Sequence, residues 1–152
     1  MLHIRYLLTL RKPSMSDSQQ YPTIILAGAD PAWMFDMQQH LRTVVGWDYD
    51  LLLTFSVSQA MRYVTERQVC LLITEATFMR RAEGSGADLA RRVREHAANI
   101  QVLMIHDGVV PMSPDITYAL ERKASSEQTL SILSSIFAAH THGSSAEFSS
   151  LL

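Results

Sequence analysis

The sequence predicts an α/β fold in which a parallel β-sheet is covered by helices on both faces. Short, continuously apolar runs such as 23–26, 69–73 and 102–105 are typical of strands that are buried on both sides. Between them, apolar residues recur three and four positions apart, which is the spacing of an amphipathic helix. Alternation of the two patterns along 152 residues predicts one domain with a parallel sheet and helical crossovers.

The predicted elements follow one another regularly. Strands are expected at residues 21–27, 50–55, 69–74, 100–105 and 116–120. Helices are expected at residues 31–45, from Ser56 or Ser58 onward, at 87–97, and from Ser125 to about His140. Segment 107–115 contains two prolines, so the helix between the last two strands is predicted to be shortened or irregular.

Capping signals support the helix boundaries. Asp30 suits an N-cap, and Pro31 suits the first helical position, where its missing N–H costs nothing. Gly46 ends the same helix. Ser125 with Gln128 three residues later forms a capping box at the start of the last helix.

Five such strands predict a flavodoxin-like three-layer sandwich with strand order 2-1-3-4-5. In this arrangement, functional sites gather outside the carboxyl ends of the strands. The chemistry-bearing residues at those ends are Asp30, Glu75, His106 and Lys123. We therefore expect these side chains to form the functional site.

Composition limits the function classes. The net charge of −2 and the pI of about 6.3 do not suggest nucleic-acid binding, and no apolar stretch is long enough to span a membrane. Cys70 is the single cysteine, so no internal disulfide is possible, and its apolar neighbours predict a buried core thiol. A reducing, cytoplasmic location fits this usage.

The two ends of the chain differ from its centre. Residues 1–20 form a leader whose first fourteen residues are apolar and basic. They are open to three interpretations: a misassigned start before Met15, an extra helix, or a partner-binding segment. Residues 141–152 are Ser-rich and are expected to be disordered. The domain itself is predicted over residues 21–140.

The strand-end residues and the segment 86–94, Gly-Ala-Asp-Leu-Ala-Arg-Arg-Val-Arg, resemble response-regulator receiver domains of the CheY-like family. The resemblance covers residues 21–140. It implies a magnesium-binding acidic cluster after strand one and an aspartate that accepts a phosphoryl group after strand three. It also implies a switch hydroxyl after strand four and a phosphate-contacting lysine after strand five, a position that Lys123 matches.

The sequence departs from this family at the positions that carry its chemistry. Gly28 and Ala29 stand where the acidic pair belongs, and only Asp30 beside them is acidic. Glu75 replaces the acceptor aspartate, and His106 replaces the switch hydroxyl. Glutamate places its carboxylate one methylene further out, and a positional error near 1 Å can cost about 10²-fold in rate.

We therefore predict a degenerate pseudo-receiver that is not an enzyme, has no cofactor and binds magnesium poorly. It would act through a protein partner, such as a signalling kinase or a transcription regulator. A homodimer through the 107–140 face is also possible on this view. Glu75 would then act as a fixed negative charge near Lys123, or the two would form a structural ion pair.

Two other functions are open at this point. The first is a single-domain phosphorelay carrier with unusual residues. The second is a small metal protein or enzyme, because Asp30, Glu75 and His106 could converge into a ligand set that suits a transition metal. The chain contains no glycine-rich phosphate-binding motif and no nucleophile elbow. The arginines of residues 80–94 are either a solvated helix face or a docking surface for an acidic partner.

Overall fold

The computed structural model describes residues 21–78, 81–110 and 112–151. Five strands form one sheet in the order β2-β1-β3-β4-β5, and all neighbouring strands are parallel. The strands are β1 (Thr23–Ala27), β2 (Asp50–Thr54), β3 (Val69–Glu75), β4 (Gln101–His106) and β5 (Tyr118–Glu121). The predicted fold class and strand order are confirmed.

Four α-helices cover the sheet in the described part of the chain. They are α1 (Pro31–Val45), α2 (Val57–Glu66), α3 (Gly86–His96) and α4 (Ser126–Leu151). One face carries an apolar cluster that includes Met34 and Leu41 of α1 and Leu133 of α4. The opposite face carries a second cluster, to which α2 contributes Ala60 and α3 contributes Leu89. In each helix these apolar residues face the sheet, which agrees with the helical spacing of apolar residues in the sequence.

The helix starts show why the chain folds this way locally. Asp30 accepts hydrogen bonds from the backbone N–H groups of Ala32, at 3.0 Å, and Trp33, at 3.4 Å. Ser56 rather than Ser58 caps α2. The capping box of α4 is present, because Ser125 and Gln128 each accept a hydrogen bond from the other's backbone N–H.

The connection between β4 and β5 contains no helix in its described residues, 107–110 and 112–117. The end of this connection, next to β5, is held to the sheet by hydrogen bonds. The Thr117 backbone N–H donates to the Val102 carbonyl at 2.9 Å, and the Thr117 hydroxyl accepts from the Val102 N–H at 3.1 Å. Proline cannot supply the N–H groups that a helix needs, which explains the predicted irregularity.

The ends of the chain complete the comparison with the sequence. The leader, residues 1–20, lies outside the described residues. Helix α4 continues to Leu151, although the sequence predicted an end near His140 and disorder over residues 141–152. No proline occurs between Ser126 and Leu151, and the one glycine there, Gly143, lowers helix stability by only about 1 kcal/mol, which does not by itself end a helix. Among the described residues, no helix has the length and apolarity needed to cross a membrane.

Candidate functional site

A buried carboxylate lies at the carboxyl end of the sheet. Glu75 is the last residue of β3, the central strand, and is 1% exposed. Its oxygen Oε2 accepts hydrogen bonds from the backbone N–H groups of Ala29, at 2.6 Å, and Asp30, at 2.9 Å. Its other oxygen, Oε1, accepts from the guanidinium of Arg122. Burial of a charge requires such partners, and both carboxylate oxygens have them here.

The position of Glu75 depends on close approaches to two glycines. A Cβ at Gly28 would overlap Oε2 of Glu75 and would lie 2.6 Å from its Cδ. A Cβ at Gly86 would overlap the carbonyl oxygen of Glu75. From the sequence alone, Gly28 marks the loss of an acidic residue. In the structure, the absence of a side chain at Gly28 leaves the space that the carboxylate of Glu75 occupies.

Arg122 joins three elements at this end of the sheet. Besides Glu75, its Nε donates to Asp107 at 2.9 Å, and its Nη1 donates to Asp30 at 3.4 Å. Partial burial works to lower the pKa of Arg122. The hydrogen bonds to Glu75 and Asp107, together with the negative charges of both, outweigh burial and raise it. The guanidinium is therefore a permanent positive charge among three carboxylates.

The prediction that Lys123 faces Glu75 is wrong, because Arg122 occupies that place. The backbone N–H of Arg122 donates to the His106 carbonyl at 2.8 Å, which extends the alignment of β4 with β5 by one residue. Side chains alternate between the two faces of a strand, so a shift of one residue exchanges which cation points toward the site. Lys123 is exposed in the turn that follows.

Asp30 and His106 differ in their relation to the site. Asp30 is part of it: Oδ1 caps α1, and Oδ2 contacts Arg122. His106 is the last residue of β4 and is 8% exposed. Its Nδ1 accepts a hydrogen bond from the Gly108 N–H at 3.0 Å. The imidazole thus helps to shape the turn after β4.

At the carboxyl end, the three carboxylates that could meet a magnesium ion, Asp30, Glu75 and Asp107, all contact Arg122 instead. This cation prefers several carboxylate and water oxygens in octahedral geometry. Gly28 and Ala29 offer no side-chain oxygen, the oxygens of Glu75 accept from N–H groups, and a guanidinium lies beside them. Nor do any three His, Cys, Asp or Glu residues in the described parts of the chain form a metal-binding group. The expected convergence of Asp30, Glu75 and His106 into a ligand set is therefore not found.

The arginines of the third helix have different surroundings. Arg91 is exposed and pairs with Glu95 at 3.0 Å within α3, which is the arrangement of a solvated helix face. Arg94 donates to the Ile100 carbonyl at 3.0 Å and so fixes the connection to β4. Arg80 lies outside the described residues, and the side chain of Arg81 is not described. Only Arg91 and Arg92 present exposed guanidinium groups on α3.

The geometry can be compared with known proteins. No protein-family model and no curated protein sequence matches the chain. Among solved structures, the chain is similar to the signal receiver domain of an HD domain-containing protein from Pseudomonas fluorescens Pf-5, with a TM-score of 0.65 and 19% identity over 82% of this chain and 99% of that one. The chain has the receiver-domain fold.

Two further structures support this assignment of the fold. The receiver domain of a CheY-like response regulator from Methanospirillum hungatei JF-1 aligns with a TM-score of 0.66 and 8% identity, over 82% of this chain and 99% of that one. The isolated receiver domain of RcsB from Salmonella enterica serovar Typhimurium was solved with a beryllofluoride phosphomimetic. It aligns with a TM-score of 0.67 and 13% identity, over 78% of this chain and 90% of that one. At these identities the receiver fold is shared, while the site residues must be judged from this chain alone.

The site residues that the sequence analysis missed are Arg122, Asp107 and Gly28. Arg122 adjoins the predicted Lys123, so a strand end drawn one residue later would have identified it. Asp107 follows His106 directly and carries the same signal of a polar residue at a strand end. For Gly28 no sequence signal was available, because its role depends on the conformation of Glu75.

Proposed function

We propose that this receiver-fold protein signals without phosphorylation, with the ion pair of Glu75 and Arg122 replacing the phosphoryl group as the element that fixes its conformation. On this proposal the protein is not an enzyme, needs no cofactor and acts in the cytoplasm through a protein partner. The receiver fold supports a role in response-regulator-type signal transduction. The finer distinction rests on the state of the Glu75 carboxylate.

The observation that carries the proposal is the full engagement of that carboxylate. Nucleophilic attack on a phosphoryl donor requires a free carboxylate oxygen in line with the leaving group. Here Oε1 would have to leave Arg122, and Oε2 would have to leave two N–H groups. Breaking a buried ion pair typically costs about 3–5 kcal/mol. At 1.36 kcal/mol per factor of ten, this loss alone slows transfer by about 10²-fold or more.

The ion pair also supplies what a phosphoryl group would otherwise supply. A buried negative charge at the end of β3 holds the loop after β1 through Ala29 and Asp30. Through Arg122 it holds Asp107, the first residue of the connection before β5. The buried carboxylate and its guanidinium partner therefore connect three segments around the site. We propose that this keeps the 107–140 face in one conformation, ready for its partner.

The partner is proposed to be a protein, either a signalling kinase or a transcription regulator, bound through the 107–140 face. Val109 is 82% exposed and Met112 is 100% exposed on this face, and exposed apolar groups of this kind often mark interaction sites. A homodimer through the same face is the alternative. Sedimentation of the chain and of a Met112→Asp variant would separate the two, because only a dimer of this kind would dissociate on the substitution.

Phosphoryl labelling tests the proposal directly. The protein is incubated with acetyl phosphate and Mg²⁺, and its intact mass is measured. The expected result is no adduct with the mass of a phosphoryl group. Stoichiometric, Mg²⁺-dependent labelling that Glu75→Gln abolishes and Glu121→Gln retains would instead establish a phosphorelay carrier. Glu121 is an exposed glutamate on β5 and so makes a matched control.

A further inference from the structure

Among the described residues, an apolar surface of the sheet beside β5 lies without a covering helix. The first three crossovers of the sheet are made by α1, α2 and α3, whereas the described residues between β4 and β5 contain no helix. An open groove of about 590 Å³ lies there. Its apolar lining comes from Val110, Met112, Pro114, Ile116, Tyr118 and Ala119. Parallel sheets normally have both faces covered, so this groove is a site for an apolar segment.

The charges around the groove restrict the kind of segment that fits. Asp115 lies between the lining residues Pro114 and Ile116, and the exposed Glu121 ends β5. Asp107, at the start of the connection, is already paired with Arg122. An apolar segment that carries basic residues complements the apolar lining and the charge of Asp115.

The chain itself contains a segment with this composition. Residues 1–14 include Leu2, Ile4, Leu7, Leu8 and Leu10 together with Arg5, Arg11 and Lys12, and they contain no acidic residue. We propose that residues 2–12 of the leader bind in the groove of their own chain.

The connection is long enough for this binding. Ile24 of β1 is level with Leu71 of β3, and Leu71 is level with Gln101 of β4. Thr117, at the entrance to β5, bonds to Val102, so β1 and β5 begin at nearly the same height. The two strands are three strand spacings apart, about 14 Å at 4.8 Å each. Residues 13–20 can extend over about 26 Å, which is enough for this distance.

Hydrogen exchange followed by mass spectrometry tests the proposal on the full chain. The comparison is a variant that begins at Met15. A short tether gives an effective concentration in the millimolar range. Even for a segment with a dissociation constant of about 0.1 mM, the molecules with an occupied groove would therefore outnumber those with an empty groove by roughly tenfold. We therefore expect amide exchange within residues 112–119 to become about tenfold faster without the leader. A synthetic peptide of residues 1–14 should restore the slow exchange.

Two substitutions and dilution of the protein complete the test. Ala119→Arg places a cation in the groove at an exposed strand position and should abolish the leader-dependent protection, whereas Ser134→Arg, at an exposed position of α4, should retain it. Equal exchange in residues 112–119 with and without the leader would overturn the proposal. Protection that disappears on dilution would also overturn it, because the leader of a second copy would then fill the groove. Phosphoryl labelling is an independent measurement, so either proposal can fail without the other.

Discussion

Arg122, one residue beyond the edge strand β5, reaches across the end of β4 and binds the buried carboxylate of Glu75 at the end of β3. The same guanidinium contacts Asp30 and Asp107, so one cation serves three carboxylates. The side chain of Glu75 is 2% exposed and that of Arg122 is 26% exposed. Removal of Arg122 would therefore leave the charge of Glu75 buried and uncompensated.

Arg122→Ala should destabilise the protein strongly. Removing one partner of a buried ion pair typically costs 3–5 kcal/mol, and the partial exposure of Arg122 places the expected loss near the lower limit, at about 3 kcal/mol. Urea unfolding followed by circular dichroism measures this loss. Lys123→Ala is the matched control, because it removes the neighbouring exposed cation and should change the free energy of unfolding by less than about 0.5 kcal/mol.

A double-mutant cycle distinguishes the ion pair from a general effect of truncating Arg122. Glu75→Gln removes the charge and keeps the shape of the side chain. In this background, Arg122→Ala should cost clearly less than it does in the wild type, with a coupling of about 1–3 kcal/mol. Equal costs in both backgrounds would show that Arg122 stabilises the fold by other contacts.

Gly28→Ala tests the steric relation between Gly28 and Glu75. The added Cβ would overlap the Glu75 carboxylate, and overpacking of this kind typically costs about 1–3 kcal/mol. The cost should become smaller in a Glu75→Ala background, where the overlapping atoms are absent. Thermal unfolding of the four proteins provides the measurement. An alanine that is tolerated equally well in both backgrounds would contradict the proposed space requirement.

The raised pKa of the Cys70 thiol predicts that the protein loses stability at alkaline pH. Burial raises the pKa of its thiol to about 12, from an ordinary value of 9.0. Between these values the unfolded chain releases the proton while the folded chain keeps it, so stability falls as the pH rises. Between pH 9 and 11, the free energy of unfolding should fall more steeply for the wild type than for Cys70→Ala. Parallel pH profiles would indicate that the thiol is accessible to water.

The fold could be predicted from the sequence because its signals are local. Asp30 before Pro31 marks a helix start whatever surrounds it, and Ser125 with Gln128 does the same. Continuous apolar runs mark buried strands equally well. The exact end of β5 has no such marker, and a shift of one residue exchanged Lys123 for Arg122. Such a shift matters little for a topology but decides which cation enters a site.

The candidate site was predictable only in part, for a physical reason. The positions of Asp30 and Glu75 follow from the strand ends, and both lie in the site. The contacts of Glu75 depend on its side-chain conformation and on backbone N–H groups 45 and 46 residues earlier in the chain. Spacing along the sequence does not encode such contacts. Gly28 therefore looked like a lost ligand, although it provides space for the carboxylate.

The most direct test of phosphorylation-independent signalling is a nuclear magnetic resonance titration of the ¹⁵N-labelled chain with Mg²⁺ and then with beryllofluoride, a stable analogue of a phosphoryl group. Because the Glu75 carboxylate is held by Ala29, Asp30 and Arg122, we predict that the amide signals of these residues stay in place at millimolar concentrations of both. Saturable shifts of these signals that require Mg²⁺ and beryllofluoride together, and that Glu75→Gln abolishes, would contradict the account.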